Sequence, residues 1–242
     1  MTSLRNRFLT QLFAGLSILL LSYSATGCAR VNQTDVAVIT PPAEVSATEA
    51  TTVSENKNIN VDEENLKTAI FAGGCFWCME KPFDELPGVV ETTSGYTGGT
   101  VENPTYGQVS SGGTGHYEAM EVRYDPSQVS YDQLLDTFWV NIDPLDNRGQ
   151  FCDKGDQYRS AIFYETPEQQ SLAEQSKSEV ADRLGEAIAT EVIPVSPFYD
   201  AEDYHQNYYQ THAVRYKLYR YGCGRDQRLT EIWGEDAPDH EE

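Results

Sequence analysis

Between Arg30 and Asn65 the chain has no aromatic residue, and Pro41-Pro42 sits among Thr, Ala, Ser, Val and Glu. Such a stretch cannot bury enough apolar surface to offset the entropy of ordering it, so residues 29–65 read as a flexible tether. Everything able to build a core lies beyond, in one domain over 66–242 with no internal repeat. The segment before the tether differs again. Arg5 and Arg7 precede an apolar run from Leu12 to Leu21 that breaks into small residues, too short to span a bilayer. That pattern predicts a secretory signal over 1–28.

Ala25-Thr26-Gly27-Cys28 resembles a bacterial lipoprotein cleavage site, with Cys28 as the lipidated first residue of the mature protein. Ala25 stands where Leu is usual, and an ordinary cleaved signal with Cys28 incidental is the alternative. The expected address is therefore exported and bacterial, either periplasmic or membrane-anchored through lipid. A tether after an anchor lets a domain reach substrates away from the membrane.

Charge narrows the partners. Of 242 residues, 38 are acidic and 17 basic, a net charge of −21. Only four of the basic and seven of the acidic residues precede Leu66, so the acidity belongs to the folded part. Such a surface repels a phosphate backbone, which excludes nucleic acid, and also repels an anionic membrane, which the tether would relieve. Five cysteines are too few for a disulfide scaffold of this size.

Thr68–Ala72 is a short apolar run closed by Gly73-Gly74, a buried strand and a turn. From Cys75, the spacing of Phe76, Met79 and Phe83 predicts a helix that Pro87-Gly88 stops. Further strands are expected near 89–93, 118–124, 159–164 and 187–195. Ser130-Tyr131-Asp132-Gln133 fits a capping box before Leu134–Ile142. Thr166-Pro167-Glu168-Gln169 fits another, with Leu172, Val180 and Leu184 on one face. A third helix is expected over 201–221. Helices packed on a mixed sheet, joined by long loops, is the architecture this implies.

Gly73-Gly74-Cys75-Phe76-Trp77-Cys78-Met79-Glu80 is the most informative segment. A cysteine after a Gly-Gly turn, at the start of a helix, meets the positive end of the helix dipole and unpaired N–H groups. Both favour the nucleophilic thiolate. Gly-Cys-Phe-Trp resembles the signature of the A-type peptide methionine sulfoxide reductases. Matching stretches follow in order: Gly95-Tyr96-Thr97-Gly98-Gly99, Asn103-Pro104-Thr105-Tyr106, Gly115-His116-Tyr117-Glu118, Asp153 with Gln157-Tyr158-Arg159-Ser160, and Gln206 with Tyr208. The resemblance covers about Leu66 to Gly234. It implies an α+β fold, a two-layer mixed-sheet sandwich with a ferredoxin-like core.

The implied reaction is thiol-dependent reduction of methionine S-sulfoxide, free or in proteins, as repair of oxidised exported proteins. A sulfoxide is electrophilic at sulfur, polar at oxygen and apolar at its methyl group. Cys75 would attack the sulfur, while Phe76 and Trp77 would hold the methyl. Glu118 is the acid: along Glu118–Tyr124, period-2 alternation sets it on the face of Met120, Val122 and Tyr124, where desolvation keeps it protonated. A strand-end Glu118 turned to solvent is the bland alternative. Tyr106 and Tyr158 match family positions that polarise the oxygen, and Asp153 matches the same polar network. A structural hydrogen-bonded role fits His116 better than catalysis.

Cys75 would finish as sulfenic acid, condense with a second thiol, and be restored by an external thioredoxin-like dithiol without metal or organic cofactor. Cys223, with glycine on both sides, ranks first as the resolving thiol. Cys78, three residues from Cys75, ranks second, and Cys152 third beside Asp153. Two rivals stand: a thioredoxin-like disulfide oxidoreductase built on Cys75/Cys78, and a zinc-binding or adhesion lipoprotein, against which the cysteine and histidine spacing argues.

Overall fold

The computed structural model describes residues 63–238. The expected signal segment with Cys28, and the tether as far as residue 62, lie outside the described residues. In chain order the first elements are β1 (Lys67–Gly73), α1 (Trp77–Asp84), β2 (Val89–Thr97), α2 (Tyr106–Ser110), β3 (Tyr117–Tyr124) and α3 (Tyr131–Val140). Two short strands, β4 (Gly149–Gln150) and β5 (Asp153–Lys154), form a ribbon of their own. Then come β6 (Ser160–Tyr164), α4 (Pro167–Leu184), β7 (Glu191–Pro194) and β8 (Tyr199–Asp200). Three helices end the fold: α5 (Tyr208–Thr211), α6 (Ala213–Gly222) and α7 (Arg225–Trp233).

The unbroken apolar run of β1 demands cover on both faces, and β1 lies inside a six-stranded sheet ordered β7-β6-β1-β3-β2-β8. All pairings are antiparallel except β6 with β7. The inner order β6-β1-β3-β2, with α1 between β1 and β2 and α3 between β3 and β6, is the ferredoxin-like split βαβ arrangement. Ala69 and Phe71 enter the main core with Phe83, Leu134, Phe138, Val180 and Trp233 of the helices. Ile70 and Ala72 point the other way, to Tyr117, Ala119 and Phe163. Phe71 stacks between Phe83 (5.3 Å) and Phe138 (5.1 Å), so burial of this one ring ties β1 to α1 and α3.

The capping box of α3 forms in full, with Ser130 Oγ accepting from Gln133 N and Gln133 Oε1 accepting from Ser130 N at 2.9 Å. At α4 only half forms. Thr166 Oγ1 accepts from Gln169 N, but the Gln169 side chain accepts from Glu165 N and donates to the Thr68 carbonyl, lashing the helix to β1. Strand β2 runs four residues past its expected end, because β3 offers partners as far as Thr97 opposite Tyr117. The strand expected over 187–195 shortens to β7.

The single helix expected over 201–221 does not form. It breaks into a 3-10 turn at Asp203–His205, then α5, then α6. The break at Asn207 (φ +51°) follows from a tertiary contact: the buried Glu80 carboxylate of α1 accepts from Asn207 N (2.8 Å) and Tyr208 N (3.0 Å). Those charge-assisted bonds replace intrahelical ones. Helices α2 and α7 go beyond the sequence expectation, although Thr105-Tyr106-Gly107-Gln108 is itself a capping box. Among the described residues no helix is long and apolar enough to cross a membrane.

Candidate active site

The turn after β1 explains its glycines. Gly74 has φ +82°, and a Cβ there would lie 2.5 Å from Cβ of Gln150, so β4 packs directly on the turn. Cys75 follows at 6% exposure, and Phe76 forms the N-cap of α1. Phe76 is buried against Tyr96 (6.0 Å) and His205 (5.0 Å). Trp77 stacks flat on Tyr208 at 3.8 Å and donates from Nε1 to Nδ1 of His205 at 2.9 Å. The two aromatics thus wall the cysteine, but one face of Trp77 is already taken.

Alternation along β3 holds as expected. Met120, Val122 and Tyr124 enter the main core, and Glu118 shares their face at 1% exposure. Solvent is not its partner. Its Oε2 accepts from the N–H of Phe76 at 3.3 Å, which places the carboxyl against the Cys75–Phe76 turn. Burial pushes Glu118 up to about 8; Asp153 and Cys78 add to the rise, and the Phe76 N–H opposes it. Near neutral pH this carboxyl keeps its proton.

Tyr106, at the start of α2, and Tyr158, in the 3-10 turn Asp156–Tyr158, come to the same place. Burial raises both phenols, Tyr106 to about 12, and both feel Glu118 and Cys75. Neutral phenols beside a sulfur nucleophile are hydrogen-bond donors, as an oxyanion site needs. Asp153 sits at the edge: burial raises it, and it accepts from the Tyr219 hydroxyl. His116 takes a structural part, with Nδ1 accepting from Gly99 N and Nε2 meeting the Val101 carbonyl at 2.8 Å.

The thiols revise one expectation. The helix start favours a thiolate at Cys75, but burial and its neighbour Cys78 push its thiol up, opposed by a hydrogen bond with Tyr219. Cys78 is instead lowered to about 6 by its hydrogen bond with Cys75 and by Arg225 and Arg220. Within the buried pair acidity is thus drawn towards Cys78 and away from Cys75. Cys223 and Cys152 are bonded to each other as a disulfide. Cys78, not Cys223, is the thiol beside Cys75.

Several participants escaped the sequence. Tyr219 touches Cys75 and Asp153, yet in the sequence it is one of 15 tyrosines. Buried Arg225 donates to the carbonyls of Asn141 (2.6 Å) and Gly73 and lies over Phe151, so α7 supports the β1 turn. Glu202 accepts from Tyr106 N and the Tyr96 hydroxyl. Gln206, a motif position, splints this segment to β2 through Ser94. Only the Gln206-x-Tyr208 match signalled this region.

The family model described as peptide methionine sulfoxide reductase matches residues 67–237. The chain belongs to that family. It is 50% identical over 173 residues to the peptide methionine sulfoxide reductase MsrA of Bacillus licheniformis, covering 71% of this chain and 96% of that protein. It is 51% identical over 185 residues to MsrA/MsrB of Vibrio cholerae, 75% of this chain but only about half (49%) of that longer protein. The reduced form of Mxr1 from Saccharomyces cerevisiae is similar in structure, with a TM-score of 0.60 at 32% identity over 65% of this chain and 91% of that one. These relatives place the chain among the A-type methionine sulfoxide reductases, with their α+β fold and their reaction, thiol-dependent reduction of methionine sulfoxide. The disulfide-oxidoreductase and zinc or adhesion readings are set aside as the primary activity of this reductase.

Proposed function

We propose that Cys75 reduces methionine S-sulfoxide with Glu118 as the acid. The observation that carries this reading is the buried, protonated Glu118 carboxyl held against the Cys75–Phe76 turn. Cys75 attacks the sulfoxide sulfur while its proton passes to the Cys78 thiolate and Glu118 protonates the departing oxygen. Tyr106 and Tyr158 donate hydrogen bonds to that oxygen; Asp153 anchors Tyr219 at the rim. Phe76 and the free edge of Trp77 take the methyl. The oxygen then passes to Cys75 as the transient bond between Cys75 and the substrate sulfur breaks, so methionine leaves and Cys75 becomes a sulfenic acid. A second thiol displaces it as water, and an external dithiol of the thioredoxin kind restores the thiols. The chemistry needs no organic cofactor or metal.

Assay of both sulfoxide epimers with wild type and Cys75→Ser tests this. Wild type should reduce the S epimer alone, and Cys75→Ser should fall by more than about 10⁴-fold. Residual activity in Cys75→Ser, or preference for the R epimer, overturns the assignment.

The place of action is proposed from the leader: Arg5, Arg7, the Leu12–Leu21 run and Ala25–Cys28 support export, a lipid on Cys28 and repair of exported proteins. Cys28→Ser should move the protein from the membrane fraction to the soluble exported one; an unchanged distribution overturns the anchor.

A further inference from the structure

Trp77, Glu80 and Asp84 are spaced as i, i+3 and i+7, one stripe of α1. All three meet the segment 205–209, which runs from the 3-10 turn Asp203–His205 into α5. Trp77 lies on Tyr208 with only 7° between the ring planes, and its Nε1 donates to His205. Glu80, at 1% exposure, accepts from Asn207 N and Tyr208 N, and also from the Ser94 hydroxyl of β2 at 3.1 Å. One turn on, Asp84 accepts from the Tyr209 hydroxyl at 3.0 Å and the Thr92 hydroxyl at 2.7 Å. Gln206 ties the same segment to both backbone groups of Ser94. Glu80 is thus the point where α1, β2 and the segment 205–209 are joined.

Building on the mechanism proposed above, in which Trp77 helps to hold the substrate methyl, we propose that Glu80 is a positioning residue that sets specificity for that methyl. It acts through Tyr208 and Trp77. Three donors converge on the Glu80 side chain, so only an acceptor at both oxygens satisfies them all. Its hold on the Tyr208 N–H fixes the backbone from which the Tyr208 ring projects. The flat stack then passes that position on to Trp77, because a ring sitting at 3.8 Å leaves no slack between the two planes. His205, in the same segment, fixes the polar edge of the indole. One face and one edge of Trp77 are therefore set by residues that Glu80 ties down, and what remains of the indole is the wall the methyl meets.

Glu80 itself does no chemistry on the sulfoxide; its two oxygens are occupied by the three donors. Its effect on the reaction is geometric. A pocket wall that fits a methyl group discriminates against one further methylene by roughly 10–200-fold, and a wall free to shift loses that discrimination. Glu80→Gln keeps the shape of the side chain but replaces one acceptor oxygen by an amide N–H₂, which must face one of the three donors. Such a clash of donors loosens the segment at Asn207 and Tyr208 and leaves Cys75 and Glu118 as they are.

A pair of substrates tests this. Reduction of methionine S-sulfoxide and of its ethyl homologue, ethionine S-sulfoxide, is measured with full-length protein and excess dithiothreitol, and the ratio of the two kcat/KM values is taken. Wild type should favour the methyl substrate by about tenfold or more, and Glu80→Gln should bring the two within about twofold. The ratio does not depend on how much of the variant is folded, so a merely structural role would lower both substrates equally. An equal loss on both overturns the proposal and leaves the Cys75 mechanism standing. Equal use of both substrates by wild type would overturn the methyl grip of Trp77, and the role of Glu80 with it. Tyr208→Leu should lose the preference as Glu80→Gln does, and combining the two should change the ratio no further. Additive losses would show that Glu80 does not act through Tyr208 and would overturn the proposal.

Discussion

The β1–α1 turn and the α6–α7 junction each present a cysteine at a helix end, yet their surroundings are opposite. At the first, Cys75 and Cys78 lie under Phe76, Trp77 and Tyr208, and the nearby carboxyl is held protonated by burial. At the second, the disulfide borders water and the neighbouring Asp153 carboxylate. Oxygen removal needs a dry site, where a proton stays on Glu118. Thiol exchange with another protein needs access instead.

The largest effect that sharpens this contrast is expected from Glu118→Gln. It keeps the shape and the Phe76 N–H contact but removes the proton, and should lower the single-turnover rate by about 10²–10⁴-fold. Exchange at the outer disulfide, followed as thiol release by a dithiol, should be unchanged. An equal loss in both assays would mean that the two regions are not separate.

The pH dependence comes next. Single-turnover rates in wild type should rise as Cys78 ionises near 6 and fall as Glu118 loses its proton near 8. Stability carries the matching sign. The native Glu118 carboxyl holds its proton from 4.5, its ordinary value, up to about 8, whereas the unfolded one does not. The native state thus binds more protons in that window, and stability falls as pH rises through it. Glu118→Gln should therefore gain melting temperature relative to wild type at pH 8.5 but not at pH 4. A pH-independent difference would show that burial of the charge is not the cause.

The smallest effect tests the bridge between the regions. Tyr219→Phe removes the hydroxyl that meets Cys75 and Asp153 while keeping the ring against Trp77. It should slow single-turnover reduction by about tenfold, of the order of one charge-assisted hydrogen bond. Unchanged kinetics would make Tyr219 a packing residue only.

What could be read in advance had short-range causes. The Gly73–Cys78 junction, the Ser130–Gln133 cap and the alternation that turns Glu118 inward depend on neighbours within a few residues, so pattern and spacing expose them. The path of residues 201–233 does not. Glu80, more than a hundred residues away, captures Asn207 and Tyr208 and breaks a helix that local spacing favours. At the Thr166 cap, the Gln169 Oε1 that would close the box accepts from Glu165 N, while Gln169 Nε2 donates across the fold to the Thr68 carbonyl.

By itself the sequence determined which cysteine starts a helix after a Gly-Gly turn, which face of β3 is apolar, and which family these motifs resemble. Only the tertiary structure decided which thiol neighbours which, in which direction burial and neighbours move each inner thiol, and which of 15 tyrosines reaches them. Pairing and charge depend on distance and burial in three dimensions. The packing of α6 and α7 against the β1 turn sets both, through contacts between residues far apart in the chain.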